Sequence, residues 1–202
     1  MMFALGLSIL FALAVGIITA RNRRAEAVIL PLLDIFQSIP ILGFFPFVII
    51  GIYGLMPNMT GANLAVIILI FSSMSWNIAF GVYEAVKAIP QDHADPLDIS
   101  NASGWQGTKP LFIPASMSRI AYNTQTSWAV GLFFLVASEI IAVGKTKINI
   151  AYGKTIVIAT SSGDYLTLAL AVASMTVLIV AFNLTVWRRI YHNVTKRYTY
   201  NR

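Results

Sequence analysis

Residues 95–114 read DPLDISNASGWQGTKPLFIP, a polar stretch that separates two long apolar runs. The run before it covers about 63–86, and the run after it covers about 125–143. Each approaches the roughly 20 apolar residues that a helix needs to cross a bilayer. The polar stretch must therefore stand in water beside a membrane, and its place between two spans governs how the rest of the chain is arranged.

The composition is that of a polytopic membrane protein. Of the 202 residues, 57% are apolar and 11% are charged, whereas soluble domains carry roughly 25% charged residues. The apolar runs predict five transmembrane helices, at about 3–20, 28–55, 63–86, 125–143 and 164–187. These spans leave no room for a soluble domain, so we expect an all-α integral membrane protein with one transmembrane domain, residues 1–202.

Two regions depart from a simple pattern of spans and loops. The second span is longer than a bilayer requires and contains Pro31, Pro40 and Pro46, so it should be tilted or broken. Residues 145–162 form a loop of modest polarity, which could hold a short helix on the membrane surface. A cytoplasmic loop of about 87–123 surrounds the polar stretch.

The basic residues predict the orientation of the chain. The formal net charge is +6, but the basic residues lie at the ends of spans, which argues against binding of nucleic acid. Eleven of them fall in the loop after span one, the polar loop and the C-terminal tail, against three in the loop before span five. Because cytoplasmic loops carry the excess of Lys and Arg, the N-terminus should lie outside and the C-terminus in the cytoplasm.

Residue types that perform enzymatic or metal chemistry are scarce. The chain has no cysteine, and its two histidines, His93 and His192, are far apart in sequence. The tripeptide Gly153-Lys154-Thr155 lacks the earlier glycine of a phosphate-binding loop, since Ile148 stands there. We expect no catalytic residues, no metal site and no cofactor, and any ATP-derived energy would have to come from another protein.

The polar stretch resembles the docking loop of membrane subunits of binding-protein-dependent ABC importers. The pattern of that loop is an acidic residue followed by two alanines, three further residues and a glycine. Nine more residues separate the glycine from a closing I-x-L-P. Asp95 stands at the acidic position, residues 96–97 (Pro-Leu) replace the two alanines, and Asn101 replaces the glycine. Residues 111–114, LFIP, match the ending. The central residues 102–106, ASGWQ, resemble the A-S-x-W-Q often found there.

Further similarity extends over about 28–190. Residues 29–46 resemble the second core span of nitrate, sulfonate and taurine permeases, and residues 128–144, with Ser138-Glu139, resemble their fourth. The resemblance implies a type I ABC permease fold with a cytoplasmic coupling helix between spans three and four. It also implies a separate ATPase, an extracellular substrate-binding protein, a second permease subunit (identical or different) and a small anion as substrate.

The docking loop would work as a short helix lodged in the ATPase. Ile99, Ala102 and Trp105 are three residues apart, so they can share one helical face, and a buried Trp is a common interface anchor. The alternative is a surface helix whose Trp105 sits among lipid headgroups. The predicted docking residues are Asp95, Ile99, Ala102, Ser103, Gly104, Trp105, Gln106 and Pro114.

Polar residues within the spans are candidates for the pathway or its gate. Asp34 and Glu139 are costly in lipid and should face the bundle interior, in a gating or in a structural role. Gln37 and Ser38 are uncharged polar residues at membrane depth, which usually bridge helices. The break at Pro40 beside them also allows them to contact substrate.

Two other groups within the spans allow an ordinary structural explanation. Asn77 and Asn183 are expected to bridge helices, as uncharged polar residues at membrane depth usually do. The aromatic residues of 44–47 could narrow a pore or pack against lipid.

Two other functions remain open at this level: a secondary transporter or channel subunit with its site at the broken second span, and a membrane scaffold that transports nothing. Neither would depend on an ATPase, so a neighbouring reading frame for one would favour the importer. The chain could be a whole permease or a fragment of a longer or duplicated one.

Overall fold

The chain is all-α, as the sequence predicts. The computed structural model describes residues 1–39, 41–56, 59–89, 111–142 and 152–198, and within these ranges the backbone is helical apart from short connections. A five-residue π-helical segment, Asn183–Trp187, joins the last two helices. The helices are α1 Met2–Arg21, α2 Arg23–Ser38, α3 Ile41–Leu55, α4 Met59–Lys87, α5 Ile113–Ala142, α6 Tyr152–Ser162, α7 Tyr165–Phe182 and α8 Arg188–Tyr198.

Helix α4 lies at the centre of the bundle and packs against α1, α3 and α5. Its side chains Leu69, Ile70, Met74, Ile78 and Val82 are all fully buried. They recur at intervals of one or four residues, so they share one face of the helix. The core of the protein is built around this face.

Helices α1 and α4 run parallel and approach each other closely. Ser8 Oγ lies 3.4 Å from the carbonyl oxygen of Phe71. A Cβ atom added at Gly16 would lie 2.7 Å from the side chain of Val82 and 2.9 Å from the carbonyl oxygen of Ala79. Small residues at such crossings let helix backbones meet, and Gly16 has that role here.

The predicted second span is broken into two helices, which confirms the break expected from its prolines. Helix α2 ends at Ser38 and α3 begins at Ile41. Ile39 is extended, with φ −67° and ψ 126°, the conformation that a following proline favours. Pro40 itself is outside the described residues, whereas Pro31 and Pro46 lie inside α2 and α3.

Helix α5 begins earlier than the sequence analysis places the fourth span. It starts at Ile113, so residues 113–123 are helical although they were assigned to the docking loop. Polar residues lower the hydropathy of this part, but Ser116, Ile120 and Ala121 are buried by neighbouring helices. Burial inside the bundle therefore stabilises the helix over residues 113–123, although this part is too polar to be predicted as a span.

The C-terminal part also contains more helix than a single span. The short helix anticipated within 145–162 exists as α6, and Asp164 Oδ1 then caps α7 by accepting a 3.0 Å hydrogen bond from Thr167 N. The basic tail, predicted to follow the fifth span, continues the helix as α8.

Three of the described helical stretches are long and apolar enough to cross a membrane: Met2–Arg21, Asn63–Lys87 and Tyr165–Tyr198. Helices α2 and α3 have 16 and 15 residues, so each is shorter than the roughly 20 residues of a span. They would have to cross as a pair. The number five and the membrane boundaries stay predictions.

Candidate functional site

A polar cleft opens where α2 ends, opposite the middle of α4 and α5. Its volume is about 690 Å³. The polar residues described along it are Gln37, Ser38, Ser73, Asn77, Tyr122, Asn123, Thr126 and Ser127. Its described lining contains no Asp, Glu, Lys, Arg or His, so the polar groups described there are neutral: amides, hydroxyls and the indole N–H of Trp76.

Two asparagines join α4 to α5 at the cleft. Asn123 Nδ2 donates to the carbonyl oxygen of Asn77 at 2.8 Å. Asn77 Nδ2 donates to Ser127 Oγ at 2.8 Å and lies 3.1 Å from Thr126 Oγ1. A Cβ atom at Gly81 would collide with the Asn123 side chain, so Gly81 provides the space that this bridge needs.

Aromatic side chains form the walls beside the polar groups. The Phe36 and Trp76 rings stack with centroids 5.2 Å apart, and Phe11 contacts the Trp76 ring edge to face at 5.7 Å. Phe45 is fully buried and stacks on Phe134, which lines the cleft, at 5.7 Å. These contacts fix the shape of the cleft on both sides.

A charged network joins helix ends where the predicted docking loop leaves α4 and enters α5. Glu26 Oε2 lies 2.8 Å from Lys87 Nζ, and Tyr83 donates to Glu26 Oε1 at 2.6 Å. The hydrogen bond from Lys87, followed by that from Tyr83, lowers the pKa of the Glu26 carboxyl below its usual 4.5. The start of α2 is thereby held to the end of α4.

Two further contacts belong to the same end of the bundle. Arg119 lies 3.7 Å from Glu84 and joins α5 to α4. The Arg21 guanidinium lies 4.9 Å from the centre of the Phe112 ring and joins the end of α1 to the start of α5. Both flanks of the predicted loop are therefore tied to the bundle.

The C-terminal helices reach this end too. Gln125 Nε2 donates to Asn183 Oδ1 at 2.6 Å, the Trp128 and Phe182 rings stack at 5.1 Å, and the Tyr122 and Tyr191 rings lie 6.3 Å apart. Because residue numbers rise on one helix as they fall on the other, α5 and α7–α8 run antiparallel. The basic residues of α8 therefore lie on the side of Arg21, Lys87 and Arg119.

Comparison with known families decides what kind of bundle this is. Residues 12–199 match the family described as binding-protein-dependent transport system inner membrane component. The chain belongs to this family. The match includes the cleft, the charged network and the whole of the predicted docking loop.

Curated relatives of this transport component include the bicarbonate transport system permease protein CmpB of Synechococcus elongatus. The two sequences are 24% identical over 135 residues, which is 67% of this chain and 46% of the relative. The protein of the same name from a second Synechococcus strain gives the same values. The chain thus spans about half the length of the curated relatives it matches.

The structure brings only some of the predicted pathway residues of the transport component together. Gln37 and Ser38 line the cleft, and Ser38 Oγ donates to the Asp34 carbonyl at 2.8 Å. Asp34 is exposed on α2 and is not among the cleft residues. Pro40 lies outside the described residues, as does the side chain of Glu139 on α5.

Phe45 and Phe47, two of the aromatic residues of 44–47, have separate environments. Phe45 is buried in the core, whereas Phe47 is 77% exposed. The first is part of the wall behind the cleft, and the second faces outward; whether Phe47 meets lipid stays a prediction.

Most predicted docking residues belong to the part of the chain between α4 and α5 that the structure does not describe. Asp95, Ile99, Ala102, Ser103, Gly104, Trp105 and Gln106 lie outside the described residues. Pro114 is the second residue of α5, within the first turn, where proline is tolerated because its missing N–H needs no helical partner. The predicted role of these residues in docking is untested.

Several cleft residues were missed by sequence reasoning. Asn123 was placed at the end of the loop, and Ser73, Trp76, Thr126 and Ser127 were not singled out. Their spacing contains a usable pattern, because Asn123, Thr126 and Ser127 are three and four residues apart and so share a helical face. Asn77 and Asn183 were predicted to bridge helices, and the structure confirms both.

Proposed function

We propose that the chain is the permease subunit of an ATP-driven importer for a small anion. The observation that supports this best is the family match over 12–199, which extends through the cleft and the docking loop. The named function of the CmpB relatives, bicarbonate transport, is the reason for proposing a small oxyanion. In this proposal the chain forms the pathway and performs no enzymatic reaction itself.

The cleft is the proposed part of the pathway within this chain. It lies at a broken helix, where freed backbone groups and neutral side chains can interact with a solute. Gln37 and Ser38 are the proposed contacts on α2, and Pro40 is the proposed hinge beside them. Asp34 and Glu139 are proposed to act near the gate.

The proposed coupling uses the docking loop and the charged network at its base. A separate ATPase would bind the coupling helix, with Trp105 as anchor and Asp95 at its start. Because Glu26–Lys87 and Arg119–Glu84 tie the flanks of the loop to the bundle, displacement of the loop would be passed to α4 and α5. The other proposed partners are an extracellular substrate-binding protein and a second permease subunit, identical or different.

The proposed orientation places the N-terminus outside and the C-terminus in the cytoplasm, with one transmembrane domain of five spans. The contacts between helices support it, because they gather Arg21, Lys87, Arg119 and the basic residues of α8 at one end. Such an accumulation is typical of the cytoplasmic side.

Copurification with an ABC-type ATPase from the native membrane tests the docking proposal. The native chain is compared with one carrying both Asp95→Lys and Trp105→Glu. We expect the double variant to lose the ATPase during purification while it remains folded in the membrane. Retention of the ATPase by the double variant would refute docking at this loop, and uptake without any ATPase would favour a secondary transporter.

A further inference from the structure

We propose that the cleft selects a small solute that itself donates a hydrogen bond, such as a protonated oxyanion, over anions that have no donor. The inference rests on the proposed function only in treating this cleft as part of the pathway. It follows from counting which hydrogen-bonding capacity of the lining is already used inside the protein.

The two cleft asparagines have fixed orientations. Asn123 Nδ2 donates to the carbonyl oxygen of Asn77 at 2.8 Å, and Asn77 Nδ2 lies 3.4 Å from the carbonyl oxygen of Asn123. A carbonyl oxygen only accepts hydrogen bonds, so each side-chain amide must turn its NH₂ group toward the partner helix. Both Oδ1 atoms are left as acceptors, and one of the two N–H groups on Asn123 Nδ2 has no acceptor among the described residues.

Three cleft hydroxyls have also used their only proton. Ser38 Oγ donates to Asp34 O at 2.8 Å, Ser73 Oγ to Ile70 O at 2.7 Å, and Thr126 Oγ1 to Asn123 O at 3.0 Å. A hydroxyl has one donor and two lone pairs. These three side chains therefore offer a solute only lone pairs.

Donors on the lining come from Gln37, Tyr122, the indole N–H of Trp76 and the second N–H of Asn123. Gln37 and Tyr122 are exposed and line the same cleft, whereas Ser127 is only 2% exposed. A solute with negatively charged oxygens can accept hydrogen bonds from these donors. If it also has an O–H or N–H, it can donate to the free lone pairs of the lining, so both sets of groups are satisfied. An anion without a donor would place its charge against lone pairs, with no cation on the described lining to compensate.

Hydrogencarbonate and nitrate form a matched pair of probes. Both are planar anions of charge −1 with three oxygens, and hydrogencarbonate has one O–H that nitrate lacks. The chain is purified in lipid nanodiscs, and the midpoint of thermal unfolding is measured against the concentration of each potassium salt at equal ionic strength. A ligand that binds the folded state raises this midpoint.

We expect hydrogencarbonate to raise the unfolding midpoint in a saturable way. The half-saturating concentration of nitrate should be about ten-fold higher, which is the effect of one unsatisfied acceptor. Taurine, whose donor is an ammonium group, is a second probe. Stabilisation by taurine instead of hydrogencarbonate would support a solute that donates through N–H rather than O–H. Equal stabilisation by nitrate, or no stabilisation by any of the three, would overturn the inference. Because no ATPase is present, this outcome is separate from failure of the proposed importer function.

A pair of variants locates the effect in the cleft. Thr126→Val removes one acceptor and should bring the half-saturation of the preferred solute close to that of nitrate. Thr176→Val is the matched control, since Thr176 Oγ1 makes the same kind of bond to Val172 O at 2.9 Å and is exposed on α7. Loss of the preference in the Thr176 variant, or its persistence in the Thr126 variant, would contradict the proposed site.

Discussion

Gly16 allows α1 to lie against α4 at a distance that a side chain would prevent. An added Cβ would lie 2.7 Å from Val82 Cβ, inside ordinary van der Waals contact. We expect Gly16→Ala to lower the free energy of unfolding by about 1–3 kcal/mol, the usual cost of overpacking. The measurement is reversible unfolding in mixed micelles.

The control for this substitution is on the same helix. A Cβ atom at Gly6 would meet nothing within 4 Å, so Gly6→Ala should be neutral or stabilise by up to about 1 kcal/mol, because alanine favours helix over glycine. Equal effects of the two substitutions would show that α1 and α4 do not meet at Gly16.

Asn77 holds α4 to α5 through hydrogen bonds that cross between the helices. Replacement by leucine removes the side-chain donor to Ser127 and Thr126, and leaves the buried Ser127 hydroxyl without that partner. We expect Asn77→Leu to cost about 0.6–2 kcal/mol, the range for hydrogen bonds between membrane helices. Thr176→Val in the same unfolding assay is the control, and equal stability of the two variants would argue against the bridge.

At the level of residues, sequence reasoning works where a polar group has only one favourable environment. Asn77 and Asn183 could be predicted to bridge helices because an amide in lipid must find a partner. Asn123 could not be recognised in the same way, because the polar residues before it lower the local hydropathy below that of a span. Its burial is due to α4, and one sequence does not show which helices pack together.

At the level of elements, the charged network ties α2 to α4 in a way that depends on pH. The pKa of Glu26 is lowered by its hydrogen bonds from Lys87 and Tyr83. The Glu26 carboxylate therefore binds a proton less readily in the folded state than in the unfolded state. Above the usual pKa of 4.5 the contact contributes its full stabilisation to the folded state. The stabilisation is lost as the pH falls through the lowered, folded-state pKa.

This relation gives a prediction for Glu26→Gln. The variant should be less stable than the native protein at neutral pH, and the difference should shrink as the pH falls below 4.5. The measurement is unfolding of both proteins between neutral and acid pH. A difference that stays constant with pH would mean that the Glu26 carboxylate does not make this contact.

The elements differ in how far their bounds could be predicted. The break in the second span follows from proline chemistry and was predicted from the sequence alone. The predicted fourth span begins about twelve residues after the observed start of α5. The prediction was wrong because a helix buried by its neighbours need not be apolar throughout. The continuation of the tail as α8 was missed for a related reason, since charged residues end a span without ending a helix.

At the level of the whole molecule, the fold class was predictable and the orientation can be tested directly. The chain contains no cysteine, so single cysteines can be introduced without a background. Ser161 and Asn193 are exposed positions near opposite ends of the helix from Tyr165 to Tyr198. A membrane-impermeant maleimide should label Ser161→Cys in intact cells and Asn193→Cys only after permeabilisation; the reverse pattern would invert the proposed topology.

Measurement of ATP-driven uptake tests the central claim most directly. The chain is reconstituted in liposomes with the ATPase that copurifies with it and with a binding protein, and entry of labelled hydrogencarbonate is followed with and without ATP. We predict uptake that requires ATP and is abolished by Asp95→Lys with Trp105→Glu, although the double variant remains folded. Uptake that continues without ATP, or that the double variant leaves intact, would contradict the account of this chain as a permease coupled through residues 95–114.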